Sequence, residues 1–350
     1  MGRYLATRLA QAVGVLWAAY TVSFIVLYAL PGDPAQLMAG ADANDITPEQ
    51  LDALRAEHGL DRPLVVQYFS QLAGLFRGDL GQSISTGRPA ADLIVEAIPP
   101  TVQIAAAGLL LAIVLGGGLA IAATYTRFRG LGQLLLGLPP LGVAIPAFWF
   151  GLLLIQWFSF TLPIFPAMGN KGFASIVLPA ITLAVPTGAT IAQLLSKSLA
   201  TTLREPYIDA VWAKGAGRPR VFFSHALRNA ALPALTMTGL IVGQLLSGTV
   251  VTETVFSRPG LGRVTASAVQ TQDIPVVQGI VIFAAVVFVV SNLLVDLAYP
   301  LLDPRVVTGR RRGATTPRGT SGRGGVAPAS EVGPARSSTS EVAVLHGGAA

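Results

Sequence analysis

The chain has 350 residues, of which 52% are hydrophobic and 12% charged, with a formal net charge of +6 and no cysteine. Water-soluble domains carry about 25% charged residues, so this composition excludes an ordinary soluble globular protein and places the chain in a bilayer. The missing cysteines exclude disulfides and thiolate metal sites.

A hydrocarbon core about 30 Å thick needs about 20 apolar residues in a helix. Six runs meet that length: 9–30, 101–124, 134–158, 176–196, 231–252 and 277–299. The expected fold is all-α, a polytopic bundle of six transmembrane helices. Arg3 and Arg8 precede the first run, which is too long for a secretory leader and is followed by Pro31-Gly32-Asp33-Pro34 without a small-residue cleavage pattern. Residues 1–30 are therefore read as an N-terminal segment and the first membrane helix.

The next segment, 31–100, reads as an extracytoplasmic subdomain, because some 70 residues between spans are expected to carry structure of their own. Thr47 followed by Pro48 and Glu49 signals a helix start through Leu51, Asp52 and Arg55. The stretch from Pro63 to Phe76 sets Val66, Tyr68, Phe69, Leu72, Leu75 and Phe76 largely on one face. Short surface helices packed on the outer mouth are expected. They serve either as a structural cap or as a platform or gate for an external partner.

Orientation follows from the cations, which are retained on the cytoplasmic side of span ends. Arg3, Arg8, Arg127, Arg129 and six cations between spans four and five (Lys197, Arg204, Lys214, Arg218, Arg220, Arg228) mark the inside faces. Segment 31–100 has four Arg against ten Asp or Glu, a net of −6, and with Lys171, Arg258 and Arg263 it belongs to the outside. Both termini are then cytoplasmic. The positive charge reports topology, so no nucleic-acid partner is expected, only membrane lipid and protein.

Polar residues within the spans are few: Gln103, Gln156, Gln193, Gln244 and Asn292 are candidates for the pathway or for helix contacts. Gly239 with Gly243, and the run Gly116 to Gly118, suit close helix packing. Pro139, Pro140, Pro146 and Pro186 predict kinks. Asp296 sits near the inner end of span six, where a carboxylate reaches interfacial water. Residues 101–307 form the core, and 308–350, rich in Gly, Ser, Thr, Ala, Pro and Arg, is expected to be a disordered cytoplasmic tail.

Catalytic chemistry finds no foothold. The three histidines (His58, His225, His346) are unpaired at ligand spacing, and GxSxG, HExxH and GxxxxGK[ST] are all absent. The chain is not expected to be an enzyme or to hold a metal or cofactor. Any ATP that powers it must be hydrolysed on another subunit.

The inside loop, 197–230, carries the strongest signal. Pro206 opens a short helix in which Tyr207, Ile208, Val211 and Trp212 form an apolar stripe beside Asp209, Ala210, Ala213 and Lys214, and Gly215 and Ala216 then break it. Such a stripe either lies in the headgroup layer or inserts into a groove of a cytoplasmic partner.

Four ordered blocks carry a family resemblance: ALPGDPA at 29–35; GLDRPLVVQYFSQLAGLFRGDLGQSISTGRPAADLI at 59–94; YIDAVWAKGAGRPRVFFSHALRNAALPALT at 207–236; and VVTETVFSRPGLGRVTASAVQTQDIPVVQG at 250–279, followed by NLLVDLAYPLLDPR at 292–305. The chain resembles the membrane permeases of bacterial ABC importers, in the dipeptide, oligopeptide and nickel branch. The third block looks like that branch's form of the loop named for Glu-Ala-Ala followed by Gly, with Asp209 as the acidic residue, Ala210 and Val211 at the alanine positions, and Gly215 as the glycine. The resemblance implies a second homologous permease, two ATP-binding subunits docked on Tyr207 to Ala216, and an external solute-binding protein. It implies transport of a peptide-like solute by alternating access. A secondary transporter or channel is the alternative, and would need an intramembrane charge that this chain offers only at Asp296.

Overall fold

The computed structural model describes residues 2–29, 35–36, 47–57 and 60–302. The tail 308–350, His58 and residues 31–34 lie outside the described residues, as do the side chains of Gly239 and Asp296. Among the described residues every regular element is helical, apart from one isolated bridge between Gln82 and Pro89.

Four helices are long and apolar enough to cross a membrane. These are α1 (Gly2–Ala29), α4 (Ala90–Tyr125), α7 (Ala174–Thr202) and α12 (Ile274–Leu302). A pair of helices, α5 (Arg129–Ala144) and α6 (Ala147–Ile155, continued by a π-helical turn Gln156–Thr161), is together long and apolar enough for a fifth crossing or a re-entrant loop, and is bent by 96°. The sequence predicts one continuous span there. Pro146 explains the break, because Ile145 before it is extended (φ −75°, ψ 123°), as a residue preceding proline prefers. Pro139, Pro140 and Pro186, by contrast, lie inside continuous helices. The predicted span 231–252 is divided between α9 (Leu227–Thr236) and α10 (Thr238–Val255). The described residues therefore give four crossings, or five with the bent pair.

The centre of the bundle is α4 against α7. The two backbones approach where a Cβ on Gly116 would collide with the Gly188 carbonyl, whereas Gly117 and Gly118 face open space. Gly243 only meets the Phe288 ring at ordinary van der Waals distance, so of the glycines read as packing devices Gly116 is the one a close approach requires. Ile104 and Ala112 of α4 join Leu183, Ala184 and Ile191 of α7 and Ile241 and Leu245 of α10 in one buried cluster.

Outside this bundle, α2 (Pro48–Glu57) starts as predicted, with a capping box in which the Gln50 N–H donates to Thr47 Oγ1 (3.4 Å) and the Thr47 N–H donates to Gln50 Oε1 (3.0 Å). Helix α3 (Leu64–Leu75) packs on α1: Tyr20 donates to the Tyr68 carbonyl (2.7 Å), Thr21 and Tyr68 share a hydroxyl contact (2.8 Å), and Phe24 meets the Tyr68 ring edge-on. Of the six residues grouped on one face, Tyr68, Leu72 and Leu75 are half-buried, whereas Val66, Phe69 and Phe76 are exposed. Helix α4 begins at Ala90, not at 101, so Pro99 and Pro100 are helical residues.

Candidate functional site

The loop between α7 and α10 folds as α8 (Pro206–Ala213), a glycine turn and a π-helical segment Arg220–Ala226 leading into α9. Glu205 is extended (φ −72°, ψ 140°) and Pro206 takes the first helical position, where its missing N–H costs nothing. At the other end, the Ala216 N–H donates to the Val211 carbonyl (3.4 Å) and the Gly215 N–H to the Trp212 carbonyl (2.9 Å). That pattern is a Schellman cap, which needs a left-handed residue, and Gly215 supplies it at φ +79°.

The predicted stripe does not stay together. Ile208 is 1% exposed and packs with Leu195 and Leu199 of α7, Ala120 of α4, and Val221, Phe222, Ala226 and Ala230. Val211 and Ala216 pack against the same cluster. Tyr207 and Trp212 are 37% and 46% exposed, and Asp209, Ala210, Ala213, Lys214 and Gly215 are exposed with them. Helix α8 thus has an inner edge that anchors it to the permease and an outer rim that faces away from it.

The anchor reaches a membrane helix directly. Arg218 donates to the carbonyl of Tyr125, the last residue of α4, and its guanidinium stands 4.6 Å from the Tyr125 ring centroid. Tyr125 in turn meets Phe222 and Phe223 at 5.0 and 5.5 Å between ring centroids. The Asn229 side chain in α9 donates to the Tyr207 hydroxyl (2.8 Å). Helix α8 and the turn after it are therefore in contact with the ends of α4, α7 and α9.

The polar span residues are not gathered into a site. Gln103, Gln156, Gln193 and Gln244 are all exposed on the surface of this chain, and Asn292 donates to the Phe288 carbonyl of its own helix (2.8 Å).

The buried charged residues lie elsewhere, at the end of the bundle formed by α11 (Leu261–Gln270) and the loops before and after it, and sequence reading missed their burial. Glu253 is fully buried near the end of α10. One carboxylate oxygen accepts from the Thr101 hydroxyl of α4 (2.6 Å), and the other accepts from the N–H groups of Gly262 (2.7 Å) and Arg263 (3.3 Å). Thr101 Oγ1 accepts from the Leu261 N–H (2.8 Å). The first turn of α11 has orphan N–H donors and a positive dipole end, and this carboxylate and hydroxyl satisfy both. A Cβ on Gly260 would land on the carboxylate and one on Gly262 on the Val250 backbone, which explains glycine at both places.

Arg258, read from sequence as a loop cation, is fully buried. It donates to the Ser175 carbonyl (2.9 Å), the Gly169 carbonyl (3.2 Å) and the Asn170 side chain, tying its loop to the start of α7. Burial pulls its guanidinium pKa down, and the nearby Glu253 charge opposes that shift. Asp273 completes the region, accepting from Ser83 Oγ (2.5 Å), Ser85 Oγ (2.9 Å) and the Ser85 N–H (3.2 Å). The signal that was available is the run TETVFSRPGLG itself, where Glu253 and Arg258 stand close to paired glycines in a segment with no other charge. Among the described residues no group of His, Cys, Asp or Glu could hold a metal ion.

Residues 108–308 match the family described as the binding-protein-dependent transport system inner membrane component, and residues 1–105 match its N-terminal companion. A protein of Brucella suis named as a peptide transport system permease is 36% identical over 307 residues, covering 85% of this chain and 97% of that protein. The glutathione transport system permease of Escherichia coli K12 is 34% identical over 306 residues, covering 87% and 99%. Among solved structures, an inward-facing form of the MetNI methionine ABC transporter shares the fold, with a TM-score of 0.52 at 15% identity over 60% of this chain and 96% of that one. Members of such a family work with ATP-hydrolysing and solute-binding partners at the inner membrane. By these matches the chain belongs to the binding-protein-dependent transport system inner membrane component family, as a multi-pass permease subunit of an ABC importer and not an enzyme.

Proposed function

We propose that this chain pairs with a second homologous permease, that two ATP-binding subunits dock on the paired inside loops, and that the assembly moves a peptide-like solute delivered by an external binding protein. Both termini face the cytoplasm, and α9 with α10 supplies the remaining crossing of a six-helix bundle. The docking residues are the outer rim of α8, Tyr207, Asp209, Ala210, Trp212, Ala213 and Lys214, carried on the Gly215–Ala216 cap. Ile208 and Val211 hold the helix to the permease and transmit its movement. Alternating access follows from a rigid-body step: closure of the ATP-binding subunits displaces α8, and Arg218, Tyr125 and Ile208 pass the displacement to α4 and α7.

The observation that carries this reading is the two-edged α8, buried at Ile208 and exposed at Tyr207 and Trp212. A headgroup-layer helix would turn its apolar residues to lipid as one face. The names of the relatives above favour a peptide-like solute, glutathione among them.

The chain has no cysteine, so Trp212→Cys and Lys214→Cys can each carry a single photo-crosslinker in the complete transporter. Adducts to the ATP-binding subunit are expected at both, and none at Ala53→Cys in α2. Adducts to lipid alone at positions 212 and 214 would overturn the docking assignment. Uptake of labelled dipeptides and of glutathione by vesicles holding the transporter and its binding protein tests the solute class.

A further inference from the structure

Helix α3 is inside out for a helix in water. No charged residue occurs from Pro63 to Phe76. Its exposed side carries Val65 (66% exposed), Phe69 (61%), Ala73 and, just past its end, Phe76 (86%), which recur at the i, i+4, i+8, i+11 spacing of a single helical face. The opposite side is the polar one. Gln67 is buried there, its amide donating to the Leu60 and Arg62 carbonyls at 3.2 and 2.7 Å. Ser70, Gln71 and Gly74 turn toward a cavity of about 250 Å³ shared with Tyr20 of α1 and the start of α12. A helix in water buries its apolar face; α3 leaves the Val65–Phe69–Ala73–Phe76 face open and buries the amide of Gln67 instead.

Depth supplies a second and independent observation. Helix α1 carries no charge after Arg8 and runs to Ala29, and Tyr20, which bonds α3 at Tyr68, lies nine residues before that end, or about 14 Å at 1.5 Å per residue. On α12 the apolar stretch starts at Ile274, and the residues lining the shared cavity with α3 run from there to Ile282, about 12 Å along the axis. Two spanning helices thus put α3 at the same level, below the ends of their apolar stretches. Next to it, Val22, Ile25 and Val26 of α1 are exposed and continue its apolar surface. Asp61 and Arg62 before α3, and Arg77 and Asp79 after it, are exposed where the chain leaves this level. Charges that bracket an apolar face in this way reach headgroups from a helix lying in the membrane plane.

We propose that α3 is an in-plane membrane helix whose Val65–Phe69–Ala73–Phe76 face is covered by lipid acyl chains, in the outer leaflet on the orientation given above. It is not a water-exposed platform for the external binding protein. The inference rests on α1 and α12 spanning the membrane and is independent of the docking role of α8. Its consequence is that the segment between α1 and α4 is anchored at leaflet depth, so external contacts fall to α2 and the flanking loops.

The test uses single-cysteine variants of this cysteine-free chain in the complete transporter, reconstituted in vesicles of phosphatidylethanolamine and phosphatidylglycerol. Each position from Val65 to Phe76 carries a nitroxide, and collision rates are measured with oxygen, which concentrates in hydrocarbon, and with a water-soluble nickel chelate. The oxygen-to-nickel ratio is expected to oscillate with the helical period, peaking at V65C, F69C, A73C and F76C and several-fold higher there than at S70C or at A53C in α2. Variants that retain wild-type uptake count as folded, and A73C removes no large side chain. A high nickel rate along the 65–69–73–76 face would mean water and overturn the proposal. Low rates for both reagents on that face would mean a protein cover, such as the second permease, and would overturn it equally.

Discussion

The two loops at the ends of α10 are held by opposite physics. Before it, α8 is fastened by apolar packing of Ile208, Val211 and Phe222, and leaves its polar groups outside. After it, the loop into α11 buries a carboxylate and a guanidinium completely and holds them with directed hydrogen bonds from Thr101, Gly262 and Arg263 and to Ser175 and Asn170, leaving only Arg258 Nε without a partner. Apolar packing is non-directional and tolerates small displacements, whereas a buried hydrogen-bonded charge is costly to misalign. The first arrangement suits an element that is moved; the second suits one that stays fixed while the rest rocks.

The sharpest way to break that contrast is Glu253→Ala. It leaves the Thr101 hydroxyl and the Gly262 N–H buried without their acceptor, and removing one member of such a buried charged set costs about 3–5 kcal/mol. A large drop in the unfolding temperature of the purified transporter is expected, with Glu253→Gln retaining part of the loss because one oxygen still accepts. Unfolding of the alanine variant at the wild-type temperature would remove the fixed-end reading.

Next in size is Ile208→Ala, about 2–4 kcal/mol by lost burial and the cavity it leaves. The damage should be local. Cleavage by a protease between α7 and the π-helical segment should quicken while the permease remains inserted, and uptake should fall. Equal protease resistance in variant and wild type would mean that Ile208 is not the anchor.

Gly215→Val comes third. Space is open around its Cβ, so the cost is backbone strain in the left-handed region, about 1–2 kcal/mol. The expected phenotype is an inserted permease whose partner ATPase no longer responds to solute, with Gly215→Asn milder because asparagine tolerates that conformation. Wild-type uptake and ATPase stimulation in the valine variant would count against the lever. Smaller still is Tyr207→Phe, which loses the hydrogen bond from Asn229 at an exposed site, worth about 0.5–1 kcal/mol. Its uptake should change less than twofold. Deleting 313–350 should leave uptake unaltered, and loss of assembly with the ATP-binding subunits would give the tail a role it is not assigned.

Much of this was legible in one dimension because it rests on local rules. Thr47, Pro48 and Gln50 mark the start of α2, and Pro206 and Gly215 bracket α8; each acts within one turn of chain. The apolar runs behind α1, α4, α7 and α12 were equally plain, since span length is a property of composition. The bend at Pro146 was signalled as a kink, but its 96° angle was not, because proline breaks a helix without dictating where the next one goes. Arg258 is a loop cation as read, but its burial is not signalled, and neither is the exposure of Phe69 and Phe76 on α3. In both cases a one-dimensional pattern reports that a face exists without reporting what lies against it.

The sequence by itself determined that the chain lies in a membrane, that it is helical, and where the loop between α7 and α9 breaks. Those properties depend on hydropathy and helix-end chemistry, both of which are written in neighbouring residues. Only the tertiary structure decided which side of α8 is anchored, that Glu253 caps α11 while bonding Thr101 more than 150 positions earlier, and that Gln67 of α3 faces inward while Phe69 and Phe76 do not. Those outcomes depend on burial, and burial depends on which distant segments meet, with lipid rather than water as the competing surroundings.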